Sequence, residues 1–129
     1  MRYFLTGVTG FIGGRVTAQL CAAGHEVVAV ARDPGRCSPT PGLTLHRGDV
    51  CDKESMRAAM AGVDGVFHVA GWYKVGARDK RPGMRVNVEG TRNVLELMRD
   101  LGIPRGVYTS TIAVFSDTRA TLSCSWCGR

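Results

Sequence analysis

Three glycines near the start of the chain have a spacing that could bind an anion. Gly7, Gly10 and Gly13 follow a short apolar run at residues 2–6 and precede a segment with helical periodicity. Backbone N–H groups at the start of a helix are free to bind negative charge, and the helix dipole favours it there. Glycine permits the sharp turn and the close approach of the backbone to phosphate. Such triplets also occur in plain turns, but between a strand and a helix they predict a site for a dinucleotide pyrophosphate.

The residue after the second apolar run bears on the choice of dinucleotide. Arg32 stands where a protein that prefers NAD usually has Asp or Glu to hold the ribose 2′-hydroxyl. Its planar guanidinium can instead pair with a 2′-phosphate, helped by Arg36. The sequence therefore favours NADP. NAD remains the alternative if Arg32 is a surface charge and Asp33 takes the acidic role.

Alternating strands and helices are predicted to position these residues. Glycine and proline turn signals separate β-rich apolar runs from segments with helical spacing, and Asp52 is a candidate helix cap. This alternation favours a parallel sheet covered on both faces. Strands are predicted at residues 2–6, 27–31, 43–46, 65–70 and 106–110, with a long loop over 71–83. The predicted inner helix positions are Ile12, Val16 and Leu20; Met56, Ala59, Met60 and Val63; and Asn87, Thr91, Val94, Met98 and Leu101.

Composition indicates one soluble α/β unit. The chain has 129 residues, of which 44% are hydrophobic and 22% charged, and its longest strictly apolar run, residues 27–31, is too short to span a membrane. No signal peptide is evident, so a cytoplasmic protein is expected. The net charge of +6 is dispersed, which argues against nucleic acid as a partner. Five cysteines do not suggest a disulfide framework, and Cys124 and Cys127 lack the second pair that a zinc site needs.

Residues 6–13, Thr-Gly-Val-Thr-Gly-Phe-Ile-Gly, resemble the signature of the extended short-chain dehydrogenases/reductases, the NAD-dependent epimerase/dehydratase family. The resemblance covers residues 1–118, and the Gly-Trp-Tyr-Lys loop at 71–74 and the phrase at 109–115 are most similar to the dihydroflavonol-reductase-like branch. It implies an α/β fold with a Rossmann-type doubly wound parallel sheet of order 3-2-1-4-5. It also implies a small-molecule substrate for the complete enzyme and allows a homodimer.

The resemblance assigns roles to individual residues. Asp49 would contact adenine, residues His68 to Gly71 resemble the turn that faces the cofactor, and Thr111 would orient the substrate oxygen as the catalytic residue. Each has a plainer interpretation, because Asp49 and Asp52 could cap a turn and a helix, and Asn87 and His68 could be ordinary polar and packed residues. The cofactor-binding positions implied are Gly7, Thr9, Gly10, Phe11, Ile12, Gly13, Arg32, Asp49, Val50, Val69, Ala70, Gly71, Asn87 and Thr109.

The catalytic pair of the family is missing from this sequence. The family uses a Tyr as general acid/base with a Lys four residues later that lowers its pKa. Four residues after Tyr3, Tyr73 and Tyr108 come Gly7, Ala77 and Ile112, so no such pair occurs. We therefore expect residues 1–117 to be an incomplete Rossmann domain that ends after the fifth strand, and 118–129 to be an irregular tail of a truncated or frameshifted chain.

The function expected from these patterns is the NAD(P)-binding part of an oxidoreductase or epimerase-type enzyme that acts on a carbonyl or hydroxyl centre, inactive on its own. The alternatives are a non-catalytic dinucleotide-binding or redox-sensing module, which would keep the glycine loop and need no Tyr and Lys, and an inert fragment.

Overall fold

A five-stranded parallel sheet forms the centre of the chain. The computed structural model describes residues 1–74 and 78–111. All neighbouring strands are parallel and lie in the order β3-β2-β1-β4-β5, which confirms the predicted topology. The strands are β1 (Arg2–Thr6), β2 (Glu26–Ala31), β3 (Leu43–Arg47), β4 (Gly65–His68) and β5 (Gly106–Tyr108).

Helices connect β1 to β2, β3 to β4 and β4 to β5, and the last connection is a composite helix. The backbone stays in the right-handed helical region at Gly83, Met84, Gly90 and Thr91, so the last three helical segments run on without a break. We call them together the central helix. The helices are α1 (Phe11–Ala22), α2 (Lys53–Met60), and, within the central helix, α3 (Arg81–Gly83), a π-helix (Met84–Gly90) and α4 (Thr91–Asp100).

The core lies on both faces of the sheet. Each residue of β2 from Val27 to Ala31 is buried, as predicted for an interior strand. Alternate residues point to opposite faces, so that Val27 and Ala29 pack towards α1 while Val28 and Val30 pack towards α2 and the central helix. The prediction for the second helix is confirmed, since its four expected inner residues are all buried: Met56, Ala59 and Met60 in α2, and Val63 just after its end.

The predicted inner face of α1 is wrong at its first turn. Ile12 is 50% exposed, whereas Gly13 and Thr17 are the buried residues of this helix. The reason is the close approach of the helix start to the glycine turn, where there is no space for a large side chain. Further along, Val16 and Leu20 pack on the sheet as expected.

The central helix also differs from its prediction. It begins at Arg81, three residues before the predicted start, with Pro82 in its first turn, where proline is tolerated. Asn87 is exposed and Leu97 is fully buried, contrary to the expected inner face. A π-helix bonds residue i to i+5 and so takes up one more residue per turn. This shift moves Asn87 off the face on which Val94 is buried.

Strands β4 and β5 each end two residues before their predicted ends. The N–H groups of Val69 and Ala70 donate to Thr6 Oγ1, each at 3.1 Å, instead of continuing a strand ladder. On the side of β4 that faces β5, Thr109 N donates to His68 O at 3.0 Å. The predicted tail at 118–129 and part of the predicted loop over 71–83 lie outside the described residues.

Candidate functional site

The candidate site lies at the carboxyl end of the sheet, where the strand order reverses. β1 pairs with β2 on one side and with β4 on the other, which makes the gap beyond β1 and β4 the topological switch point. The glycine turn follows β1, Arg32 follows β2, and residues 69–71 follow β4. Gly48 N donates to Ala31 O at 3.0 Å, which starts the segment that carries Asp49 beside the end of β2.

Two of the three glycines are required by the packing of the protein itself. Gly7 has φ +80°, and a Cβ there would lie 2.7 Å from Ala70 N. A Cβ at Gly13 would lie 2.0 Å from Gly7 O, so the helix start sits directly on the turn. Gly10 differs, because its φ is −87° and its nearest contact would be Gly7 O at 3.2 Å. Gly7 and Gly13 therefore shape the turn, while Gly10 lies exposed at its rim.

The N-terminus of α1 has no protein cap. Its N-cap residue is Gly10, no side chain accepts a hydrogen bond there, and the first turn holds no acidic residue. In contrast, α2 is capped by Asp52, which accepts from Ser55 N. The first N–H groups of a helix have no partner within it, so the start of α1 presents free donors and a positive dipole end. This arrangement can bind an anion.

The end of β2 carries positive charge without a paired carboxylate. Arg32 and Arg36 are exposed, and neither forms an ion pair within the described part of the chain. The Asp33 carboxylate accepts from Gly35 N at 3.2 Å and caps the short turn Pro34–Arg36. The Asp33 carboxylate is thus engaged in a local turn.

Asp49 and Asp52 both make the capping contacts that their plainer interpretation predicts. Asp49 Oδ1 accepts from Cys51 N at 2.9 Å, and Asp52 caps α2. Val50 is buried against Gly90 of the central helix, and its carbonyl accepts from Asn93 Nδ2 at 2.8 Å. The adenine contact assigned to Asp49 remains a prediction.

A buried hydrogen-bond network joins three elements beneath the site. Thr6 at the end of β1 and His68 at the end of β4 are both buried, and Thr6 Oγ1 lies 2.7 Å from His68 Nδ1. His68 Nε2 lies 3.0 Å from Thr91 Oγ1 on the central helix. Burial lowers the pKa of His68 to about 4, so the ring is neutral at pH 7. The Tyr108 ring of β5 stacks on it with centroids 5.4 Å apart.

Asn87 fastens the segment after β4 to the central helix. Its Oδ1 accepts from Trp72 N at 2.7 Å and its Nδ2 donates to Trp72 O at 2.8 Å. The Trp72 ring packs over Gly83, where an added Cβ would lie 2.8 Å from the indole. Asn87 is therefore more than a polar surface residue, since it holds the backbone next to Gly71.

The sequence predicted the glycine turn between β1 and α1 but not the hydrogen-bond network around His68. The structure brings Thr6, His68 and Thr91 together, and none of these is among the predicted cofactor-binding or catalytic residues. The available signal is the polar Thr6 directly after the apolar residues Tyr3, Phe4 and Leu5 of β1. Thr109 and Thr111 lie exposed after β5, at the same edge of the sheet as the other strand ends.

The chain is similar to enzymes of one family over nearly its whole length. Residues 3–124 match the model of the NAD dependent epimerase/dehydratase family. A Synechocystis sp. protein assigned as a dihydroflavonol 4-reductase is 37% identical over 113 residues, covering 86% of this chain and 33% of that protein. Cinnamoyl-CoA reductase 1 of Oryza sativa subsp. japonica is 39% identical over 116 residues, covering 83% of this chain and 33% of that protein. The chain thus spans about a third of the length of these relatives.

A solved structure with a bound cofactor has the same fold. UDP-glucose-4-epimerase of Stenotrophomonas maltophila, crystallised with NAD and formylated UDP-arabinopyranose, superposes with a TM-score of 0.79 at 27% identity. The superposition covers 89% of this chain and 38% of the epimerase. These matches confirm the resemblance predicted from the glycine segment.

The described ranges also lack a membrane-spanning helix and a cluster of metal ligands. No helix within residues 1–74 and 78–111 is long and apolar enough to cross a bilayer. The His, Cys, Asp and Glu side chains of these ranges form no group of three or more that could hold a metal ion. Cys124 and Cys127 lie outside them.

Proposed function

Because the chain belongs to the NAD dependent epimerase/dehydratase family, we propose that it binds NADP in preference to NAD and forms the cofactor-binding part of an enzyme that reduces or oxidises a carbonyl or hydroxyl centre of a small molecule. The observation that carries this proposal is the uncapped N-terminus of α1 at the switch point of the sheet. That position and its free N–H groups suit the pyrophosphate of a dinucleotide.

The glycine turn fits the cofactor by shape as well as by charge. The turn packs so closely on Ala70 and on the start of α1 that Gly7 and Gly13 admit no side chain, which keeps backbone on the surface next to the anion. The exposed residues Phe11 and Ile12 then offer their N–H groups, whereas Gly10 N donates to Gly7 O at 3.0 Å within the turn. Thr9 lies exposed beside them. These residues would bind the pyrophosphate.

The residues after β2 and β3 would hold the adenosine end. Arg32 is free of any ion pair in the described ranges, whereas the carboxylate of Asp33 is engaged by Gly35 N. A free guanidinium and an engaged carboxylate support recognition of a 2′-phosphate over a 2′-hydroxyl. Asp49 and Val50 would border the adenine.

The nicotinamide end would lie near the turn at 69–71, Asn87 and Thr109. The nicotinamide, when bound, donates or accepts a hydride. Thr111 would orient the substrate oxygen, and the proton would come from a Tyr assisted by a Lys, a pair that this sequence does not contain. The named reductases among the relatives favour carbonyl reduction, and the epimerase structure leaves a sugar nucleotide as the other substrate class. A cytoplasmic location and a homodimer of the complete enzyme remain predictions.

A second function, a non-catalytic dinucleotide-binding or redox-sensing module, is the alternative. The sequence has no Tyr-x-x-x-Lys, which catalysis needs and binding does not. The two functions share the same cofactor site and differ in turnover.

Titration of the purified chain with NADPH and NADH tests the cofactor assignment. We expect tighter binding of NADPH, and we expect Arg32→Ala to weaken NADPH by about 1–3 kcal/mol, because a charged hydrogen bond is lost, with little effect on NADH. Arg105→Ala is the matched control, since Arg105 is an exposed arginine that precedes β5 at the opposite end of the sheet. Equal affinities, or tighter binding of NADH, would contradict the NADP preference. No binding of either dinucleotide would refute the function itself.

A further inference from the structure

The hydrogen bonds around His68 admit only one arrangement of protons. Thr6 Oγ1 accepts from two backbone donors, Val69 N and Ala70 N, each at 3.1 Å. A hydroxyl oxygen has two lone pairs and one proton, so both lone pairs are engaged. The proton must therefore be donated along the remaining contact, which is the 2.7 Å contact to His68 Nδ1. Nδ1 is then an acceptor and carries no proton.

The other side of the ring gives the same answer independently. Thr91 Oγ1 donates its proton to Asn87 O at 2.8 Å, one turn earlier on the central helix. It can therefore only accept at its 3.0 Å contact with His68 Nε2, which must carry the ring proton. The two sides agree on a neutral imidazole protonated on Nε2 alone.

We infer that His68 is a positioning residue for the cofactor site, acting as a neutral Nε2–H imidazole that holds the turn at 69–71 through Thr6 and the π-helix through Thr91. The inference rests on the proposed function in one respect, that the turn at 69–71 faces the cofactor. His68 itself is 3% exposed and acts on the site through its neighbours.

The close packing of the turn explains how the ring can affect binding. Ala70 N lies where a Cβ of Gly7 would be, so the turn after β4 forms one wall of the glycine loop. If Nδ1 carried a proton, two donors would face each other and the Thr6 hydroxyl would have to rotate, which would leave Val69 N or Ala70 N without its acceptor. Within the described part of the chain, the groups that contact the ring are the two hydroxyls and the titratable Tyr108, with no carboxylate and no cation.

The first test is the tautomer itself, measured by imidazole ¹⁵N NMR on histidine-labelled protein. We expect His68 to show an unprotonated Nδ1 and a protonated Nε2 between about pH 5 and pH 8, a range in which an ordinary histidine titrates. His25 and His46 provide internal references in the same sample. An Nδ1–H tautomer, or a ring that gains a second proton in this range, would overturn the assignment without any cofactor being present.

The second test is NADPH affinity in variants whose folding is checked by circular dichroism. His68→Leu fills the buried space but removes both hydrogen bonds, and we expect it to weaken NADPH at least about tenfold, while the control His25→Leu stays within about twofold. Thr6 is the hydrogen-bond partner of His68 Nδ1. Thr6→Ser keeps the hydroxyl, and we expect this variant to bind NADPH at least about fivefold more tightly than Thr6→Val. A folded His68→Leu variant with unchanged affinity, or equal affinities for the two Thr6 variants, would reduce His68 to a packing residue.

The outcomes separate this inference from the proposed function. If the unmodified chain binds neither dinucleotide, the proposed function fails, and the positioning role fails with it even where the NMR result supports the tautomer. If the unmodified chain binds NADPH and His68→Leu does not fold, the two Thr6 variants decide the positioning role.

Discussion

At the scale of single residues, the glycine motif combines two different requirements. Gly7 and Gly13 are needed because neighbouring backbone occupies the space of a side chain, whereas Gly10 faces outwards at the start of α1. The sequence shows only three equivalent glycines at equal spacing. The distinction depends on which backbone segment lies against each glycine. Ala70, which lies against Gly7, is 63 positions away in the sequence, so a local sequence pattern cannot predict this contact.

Two adjacent glycines provide a matched pair for this point. Gly13→Ala would place a Cβ 2.0 Å from Gly7 O, so we expect a loss of at least about 2 kcal/mol in the free energy of unfolding, together with loss of NADPH binding. Gly14→Ala would place its Cβ 3.5 Å from Val8 O, an ordinary contact, and should stabilise α1 by about 0.5–1 kcal/mol. Chemical denaturation measures both. Equal effects of the two substitutions would show that the glycine turn yields to a side chain.

At the scale of elements, regular periodicity was predictable and its local departures were not. The alternation of apolar runs with helical segments predicted the parallel sheet and the inner face of α2 because those elements follow ideal periods, while the strand order followed from the family resemblance. The π-helix at Met84–Gly90 follows neither the α-helical nor the strand period, so the predicted inner face failed at Asn87. The His68 network was beyond prediction for another reason, since it is formed by contacts between residues more than twenty positions apart.

The same network predicts how the link between β1, β4 and the central helix responds to acid. The pKa of His68 is about 4 in the fold and near 6.5 in an unfolded chain. Between these values the unfolded state binds more protons, so stability falls as the pH falls from 6.5 towards 4. For this group alone, we expect a loss of about 2 kcal/mol in the free energy of unfolding between pH 7 and pH 5.

Urea denaturation at the two pH values measures this loss. His68→Leu removes the titrating group, so the difference between the variant and the unmodified chain isolates the contribution of His68 from that of the other titratable groups. The same pH dependence in both proteins would show that His68 accepts a proton in the folded state as readily as in the unfolded one.

At the scale of the whole molecule, the topology brings the candidate residues to one edge of the sheet. The sequence predicted this edge, because parallel strands in a doubly wound order all end there. It could not predict the partners of Asp33, Asp49 and Asp52, since a carboxylate after a strand can cap a turn or bind a ligand with the same local sequence.

We expect residues 1–129 to show no carbonyl-dependent oxidation of NADPH and to self-associate. Without a positioned Tyr and Lys, proton transfer loses a contribution of about 10²–10⁴ in rate. β5 is the outer strand of the described sheet, with Val107 56% and Tyr108 51% exposed, and such an apolar edge recruits other chains. Absorbance at the NADPH band over a panel of aldehydes and ketones, with light scattering in parallel, measures both.

A lysine in the outer strand β5 distinguishes association by strand pairing from non-specific hydrophobic association. Val107→Lys should reduce light scattering, whereas Leu95→Lys, which also replaces an exposed apolar residue but on α4, should have little effect. A monodisperse unmodified chain with cofactor-dependent turnover would contradict both parts of the prediction.

The division of the core between the two faces of the sheet has a consequence for synthesis on the ribosome. The cluster on the α1 face, which contains Leu5, Val27 and Ala29, draws all its members but Phe67 from the first 45 residues. The cluster on the opposite face needs residues as distant as Phe4 and Ile103. Closing short loops costs less entropy than closing long ones, and chains fold from their N-terminus as they emerge. The glycine turn therefore belongs to the part of the protein that can fold first. The turn after β4, which packs against it, is synthesised later.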